Sequence, residues 1–504
     1  MLYVLNGKIS KIISSKGHNV LLVHVAIGLE DQKFFDERTS EFMNATKFEA
    51  EKDVNPGGYY KAIWTRDAAF ILKDQFLSGH FKSTLERILL IWSNQIGNEV
   101  SPSLLYWSNL KRKPLLYGRG SPELDFKSII ADDDKISKFE GAIPTTIYYE
   151  KGFCEIYGQN PDIDSTALMI YITSWILNKL VTLKENNNKG KDVNIISIRN
   201  TINNKEDESL FLTVSTSGAI NFLIPRMLKA VTYLQSRDID NDGLLEQKHN
   251  EDWMDTLLRT GKVVYSQACW ILALKNLAIL LMKLGYETES KKLEEISNRT
   301  ICAVEEKMWS KQDKCYIDQL EADLHIDEKM HNRLITQDIS LYLVALTEGD
   351  HDILFNDMEL TEKSSLKNQF NYSNSEMYDR ALNTLHTLKN RIWKNNLPLV
   401  TEKEITKTGP WRLKPNEYHN HTFWAWITGI EMVARNRFGK IDDFNYLLSM
   451  FVSNNGVDSN MLHEWVNPLT FQGNGAYPFR TGISAIRIAV SESHVKTGSK
   501  NVHE

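Results

Sequence analysis

Cysteine is scarce: 4 residues in a chain of 504. Cys154, Cys269, Cys302 and Cys315 form no CxxC pair and no Cys/His ligand spacing, so no zinc-type ligand set is present, and the pattern suits a reducing compartment. Long basic runs are missing too. The 59 Lys and Arg residues are interspersed with 65 Asp and Glu for a formal charge of -6. That leaves no footprint for a phosphate backbone, and nucleic acid is not an expected partner. No run approaches the roughly 20 apolar residues needed to cross a bilayer. One apolar stretch, VLLVHVAIG at 20–28, has the length of a signal core. It starts late, contains His24 and lacks a small-residue cleavage site, so the expectation is a short strand in a cytoplasmic protein without a membrane anchor. Repeats of the solenoid kind are absent as well. What is present is a globular profile, 42% hydrophobic and 25% charged, on a chain long enough to bury a large core as one unit.

From residue 65 onward apolar positions recur at three-and-four spacing. The pattern predicts helices over 65–76, 82–98, 164–182, 218–236, 261–287, 288–308, 335–348, 374–390, 417–435, 440–453 and 476–492, with Thr65 as N-cap of the first. Residues 1–50 alternate and turn, which predicts a small β-containing appendage ahead of a helical domain over 51–504. The Asn/Lys-rich stretch 184–208 reads as a polar insertion. Long loops rich in Trp, Tyr, Gly, Asp and Pro lie at 53–64, 101–145, 237–260, 400–416 and 455–475, and such loops in a helical domain usually carry function. A dozen helices with chemistry confined to loops fits helix pairs in a ring, an irregular bundle or a solenoid.

Four loop clusters combine aromatics with charge. In Tyr59-Tyr60-Lys61-Ala62-Ile63-Trp64-Thr65-Arg66-Asp67, the Arg-Asp pair is either a salt-linked helix start or, beside Trp64, a sugar site. Rings stack on C–H faces, and a guanidinium with a carboxylate matches vicinal hydroxyls. In the second cluster, Asp238 to Gly243 looks like a calcium loop, but His249 and Asn250 stand where its closing Glu belongs, so a turn is expected. Asp255 follows, with Glu251, Asp252 and Trp253 near it. Acidic neighbours and partial desolvation would raise a carboxyl pKa toward that of a general acid, although an N-terminal cap for the next helix explains the residue equally well. Trp411 and the run Tyr418-His419-Asn420-His421-Thr422-Phe423-Trp424-Ala425-Trp426 form the third. The two histidines make a weak metal signal, and the tryptophans could be core. The fourth, His463-Glu464-Trp465 followed by Gly473 to Gly482, offers Glu464 as a base or as a surface acid.

The four motifs in this order resemble a known family. IWTRDAAF is similar to the sugar-binding motif of glucoamylases and of the glucosidase domain in glycogen-debranching enzymes. DWMDTLLRTGKVVYSQACWILAL resembles their acid-bearing segment, YHNHTFWAW their Tyr-His-Asn motif, and LHEWVNPLTFQGNGAYPFRTGISAI the closing segment with the base. DIDSTAL, which holds Asp164, matches a helix start that lines the family's active site. The resemblance spans about residues 57–490. It departs from many members in having no room for a large N-terminal β-sandwich, and Trp-Met-Asp is closer to the debranching type than to the Trp-Glu-Glu of glucoamylases.

This likeness implies an all-α (α/α)6 toroid, two concentric rings of helices with a pocket at one end, and an exo-acting, inverting α-glucosidase. Asp255 would protonate the glycosidic oxygen, and Glu464 would activate a water on the opposite face. Arg66 and Asp67 would hold the terminal sugar. Trp64, Trp253, Trp411 and Trp424 would supply stacking surfaces. Asp164, Arg259, Lys262, Tyr418, His419, Asn420 and Arg480 are candidate hydroxyl ligands. The expected partner is an α-glucan or α-glucoside, and neither metal nor cofactor is required, because both proton transfers have side-chain agents. A trehalase or other disaccharide hydrolase on the same barrel is the main alternative. A phosphorylase, an epimerase working through His419 and His421, and a non-catalytic carbohydrate binder are further ones.

Overall fold

The computed structural model describes residues 29–98, 103–107, 128–186, 216–257, 259–320, 334–349, 374–405, 413–453 and 456–498. Among them are thirteen α-helices: α1 (Leu29–Lys52), α2 (Thr65–Leu77), α3 (Phe81–Ser93), α4 (Asp133–Lys138), α5 (Ile163–Asn186), α6 (Thr216–Gln235), α7 (Val264–Lys283), α8 (Glu287–Lys307), α9 (Ile339–Thr347), α10 (Asn374–Ile392), α11 (Ala425–Arg437), α12 (Ile441–Ser449) and α13 (Arg480–Gly498). Helices α2, α5, α7, α9, α11 and α13 each pack on the next, and α13 closes back on α2. Outside this ring α3, α6, α8 and α12 lie against the inner helices that precede them, and α1 lies against α2 and α13. The result is the expected (α/α)6 double ring.

Burial explains which sequences went where. Helix α7 is apolar on every side and nearly all of it is buried, because α5, α8 and α9 surround it. By length and composition it could cross a membrane, yet here it is an inner-ring core helix. Helix α8, outside it, is charged, with Ser290, Leu293, Ser297, Thr300, Ile301 and Val304 forming one buried stripe. The inner ring surrounds a small, mostly apolar space to which each of its helices contributes, through Ala69, Leu168, Leu272, Leu341, Ile430 and Ile488.

Several sequence expectations shift. The 1–50 boundary falls inside α1, a helix docked on the barrel by Arg480 Nη2 to Glu49 Oε1 at 2.6 Å; residues 1–28, with the expected strand at 20–28, lie outside the described residues. So does most of the polar insertion, beyond Asn186. The N-cap of α2 is Trp64 rather than Thr65, whose hydroxyl donates instead to the Pro144 carbonyl at 2.7 Å. The 101–145 region contributes to a five-stranded sheet with the order β1 (Ile63–Trp64), β4 (Thr146–Tyr148), β5 (Phe153–Ile156), β2 (Ser103–Trp107), β3 (Ser128–Ile130). Strand β2 runs parallel to β5 and the other pairs are antiparallel. These strands are 2 to 5 residues long, too short for an alternating pattern to show. Pairing of Trp64 with Thr146 sets the start of α2 against this sheet. A two-stranded ribbon, β6 (Trp465–Val466) with β7 (Gly473–Asn474), follows Glu464.

Candidate active site

The starts of the inner helices, and the loops that lead into them, meet at one end of the ring around a pocket of about 430 Å³. Its wall includes Trp64, Arg66 and Asp67 at α2, Trp253 and Asp255 ahead of α7, Tyr418, His419, Trp424 and Trp426 around the start of α11, and Glu464, Phe479 and Thr481 ahead of or within α13. Helix N-termini carry partial positive charge, which favours the carboxylates gathered there. Phe70 faces both this pocket and the apolar space beneath it, so its ring forms part of the floor.

Glu464 is buried, with 1% of its surface exposed. Its Oε1 accepts from the hydroxyls of Tyr60 at 2.6 Å and Tyr418 at 3.0 Å. Its Oε2 accepts from the Tyr59 hydroxyl and from the Ala476 amide, both at 2.9 Å. The amide can come this close because residue 475 is glycine: it has φ +75°, and a Cβ there would lie 2.4 Å from Oε2. Burial pushes the Glu464 carboxyl above its ordinary range, and the hydrogen bonds from Tyr60, Ala476, Tyr59 and Tyr418 oppose that only in part.

Asp255 lines the same pocket, on a loop stacked with aromatics. Trp253 packs edge-on to Trp424 and Trp426 and donates to Asp338 Oδ2 at 2.7 Å. His419 Nδ1 is 3.8 Å from Asp255 Oδ1 and 2.8 Å from the Thr256 hydroxyl. Burial, together with the charges of Arg66 and Arg259, holds the His419 pKa well below normal. The imidazole is therefore neutral, and its approach to Asp255 is dipolar rather than an ion pair. The acidic neighbours of Asp255 in sequence are turned elsewhere: Glu251 binds Arg237 at 2.6 Å, and Asp252 faces Arg259 at 3.3 Å.

Arg66 is held between Asp67 at 3.2 Å and Asp164 at 3.7 Å, and Asp67 Oδ1 accepts from the Thr481 hydroxyl at 2.7 Å. Burial pushes Asp164 up to about 6 against the pull of Arg66. Trp64 stacks on Tyr157 with centroids 5.2 Å apart and planes within 13°.

Five residues expected to bind substrate lie away from the pocket wall. Asp164 is fully buried behind Arg66, with Tyr265 donating to it at 3.1 Å. Arg259 is spent on Asp252, Asp318 and Asp338. Asn420 braces the backbone of Ile405 and Lys414. Arg480 ties Glu49 and Asn55 to the barrel. Lys262, buried, places its ammonium 2.6 Å from Asp240 and 2.8 Å from Asp242. Asp238, Asp240 and Asp242 do converge closely enough to hold a metal ion. Lys262, Lys307 and Arg299 already neutralise them, so the expected turn is a lysine-filled one. Trp411 lies outside the described residues.

Tyr59, Tyr60, Trp426, Phe479 and Thr481 are the functional neighbours that sequence reasoning did not assign. The adjacent Tyr59-Tyr60 pair was visible, but its partner Glu464 is 404 residues from Tyr60. Tyr418 reaches Glu464 from a left-handed backbone, φ 51°, a conformation that is rare for a bulky residue and tends to mark functional sites.

No protein-family model matches the chain, and no curated protein matches it. Solved structures do. A glucoamylase from Saccharomycopsis fibuligera superposes with a TM-score of 0.53 at 12% identity, covering 94% of this chain and 96% of that one. A GH63 mannosylglycerate hydrolase from Thermus thermophilus, in complex with glucose, gives 0.51 at 14% identity, covering 90% and 99%. An uncharacterized conserved protein from the same organism gives 0.52 at 13%, covering 89% and 99%. At these identities the likeness is one of fold, and the fold is that of the six-hairpin glycosidases.

Proposed function

We propose that the chain is an exo-acting, inverting α-glucosidase that releases glucose from the ends of α-glucans or α-glucosides, of glucoamylase or debranching type. The observation that carries this reading is the pairing of Asp255 and Glu464 on one pocket in unlike surroundings. Asp255 is the general acid, beside a neutral imidazole. Glu464 is the general base, its anion held by three tyrosine hydroxyls and an amide. Inversion requires the two carboxyls to stand roughly 6.5 to 9.5 Å apart, with the attacking water on the Glu464 side. Arg66 and Asp67 take the outer hydroxyls of the terminal sugar, and the floor at Phe70 ends the chain there, which makes the action exo.

Charge narrows the choice of leaving group. Among the described residues lining the pocket, Arg66 carries the one full positive charge, and two carboxylates already share it. That wall favours a neutral leaving sugar over an anionic one such as glycerate. A disaccharide hydrolase, including a trehalase, fits the same wall.

Incubation with maltose, isomaltose, panose, trehalose and limit dextrin, followed by proton NMR, tests the reading. The glucose unit cut from the non-reducing end should appear first as the β-anomer, accompanied in the case of trehalose by one α-anomer from the departing unit, so maltose, isomaltose, panose and dextrin decide the stereochemistry. Release of the α-anomer first, or of no glucose from any of them, would overturn it.

A further inference from the structure

A carboxylate offers about four lone-pair positions, and the described structure fills four on Glu464: two hydroxyls on Oε1, one hydroxyl and one amide on Oε2. A water can touch either oxygen only after one of these bonds breaks. A direct route from water to Glu464 is therefore closed in the resting site. The hydroxyl of Tyr60, having donated its proton to Oε1, keeps its own lone pairs for a water. Tyr60 lines the pocket and as a residue is only partly buried, whereas Tyr59 is not in the wall. Tyr418 is in the wall, but its ring is buried against His419 and Trp424, and its carbonyl is bound by the Trp424 indole at 3.0 Å. Tyr60 also makes the shortest of the four contacts.

We propose that Tyr60 is part of the base: the proton of the attacking water reaches Glu464 through the Tyr60 hydroxyl. The inference rests on the hydrolase reading above. In the step, the water oxygen bonds to the anomeric carbon as the glycosidic bond breaks and its oxygen takes the proton of Asp255. One O–H bond of the water breaks, and that proton bonds to the Tyr60 oxygen while the original phenolic proton moves to Glu464 Oε1. Tyr60 ends unchanged, Glu464 ends as a neutral acid and Asp255 ends as a carboxylate. Exchange with solvent water restores both. Burial and the charge of Glu464 hold the Tyr60 pKa well above normal, so the phenol cannot serve as a base by ionising and acts only by passing one proton on as it receives another.

α-D-Glucosyl fluoride, whose departure leans little on Asp255, isolates this half of the reaction. Single-turnover rates for the wild type in H2O/D2O mixtures should give a curved proton inventory, because two protons move together. Tyr60→Phe should lose about 10²-fold or more in rate, with KM within about threefold and an unchanged melting temperature, and its residual inventory should be linear. A linear wild-type inventory would overturn the relay, whatever the variant does, since it means one proton in flight. So would a Tyr60→Phe rate at or above wild type, which would show that vacating Oε1 simply admits the water. Wild-type protein inert toward the fluoride and the whole glucoside panel would instead overturn the glucosidase reading, and the relay with it.

Discussion

At the closed end of the barrel, beneath the apolar space, Lys73 of α2 binds Glu492 of α13 at 3.0 Å and the Tyr171 hydroxyl of α5 at 2.9 Å. Arg437 of α11 binds the same Glu492 at 3.0 Å, and Glu348 after α9 at 2.7 Å. At the open end, Glu464, Asp162 and Asp164 are buried, each more deeply than Glu492. The two groups of acids respond in opposite directions. Burial would raise Glu348 and Glu492, but Arg437 and Lys73 overcome it and hold both below the ordinary range. Burial raises Glu464, Asp162 and Asp164, and what opposes it falls short. Two cations match two carboxylates at the bottom, and the cluster holds five inner helices together. At the top the burial is compensated only in part, and these carboxyls stand above their ordinary range. Between these two groups, burial alone does not set the direction of the shift; the local balance of charge does.

The widest gap between the two ends should come from the proposed catalytic pair. Glu464→Gln should lose about 10²–10⁴-fold in kcat on every donor, and Asp255→Asn a similar factor on glucosides but much less on glucosyl fluoride. Steady-state kinetics with both donors checks this. At the bottom, Arg437→Met should leave kcat near wild type but cost about 3–5 kcal/mol in urea unfolding, because it strands buried carboxylates. That penalty should shrink as pH falls and Glu348 and Glu492 take up protons, since groups with depressed pKa stabilise the fold above their unfolded values and cease to below their folded ones. A smaller contrast lies in the pH profile. Glu464 must be ionised to work and its pKa is raised, so the acidic limb of kcat/KM should stand above the ordinary glutamate value of about 4.3. Tyr59→Phe removes a donor from the anion and should move that limb to still higher pH. Smaller again, Glu464→Gln should raise the melting temperature by roughly one to two degrees, the opposite sign to Arg437→Met, because a desolvated anion is gone. Finally, exhaustive chelation should change neither turnover nor melting, since Lys262 sits where an ion would bind in the Asp238–Asp242 turn.

The ring of helices was legible because each helix leaves a local apolar signal, a stripe on an outer helix such as α8 and a continuous run on α7. The pocket wall was legible where aromatics and charge adjoin in sequence, as at Trp64-Thr65-Arg66-Asp67. Direction was not legible. Arg259, Lys262 and Arg480 stand in the right segments but turn toward Asp338, Asp240 and Glu49, partners 79, 22 and 431 residues away. Nor could sequence show that Glu251 and Asp252, near Asp255 in the chain, pair with Arg237 and Arg259. The sheet beside α2 escaped notice because a strand of 2 residues has no period.

The closure of α13 onto α2 also has a consequence in time. Tyr60 emerges from the ribosome 404 residues before Glu464. At roughly 5–20 residues per second, the nascent chain carries one partner of this hydrogen bond for about 20 to 80 seconds before the other exists. Asp67 waits as long for Thr481, and Asp74 for Arg487. Each earlier helix pair can dock on the one before it, but the pocket wall is completed only by Phe479 and Thr481 at the last helix, so every shorter translation intermediate lacks a finished pocket.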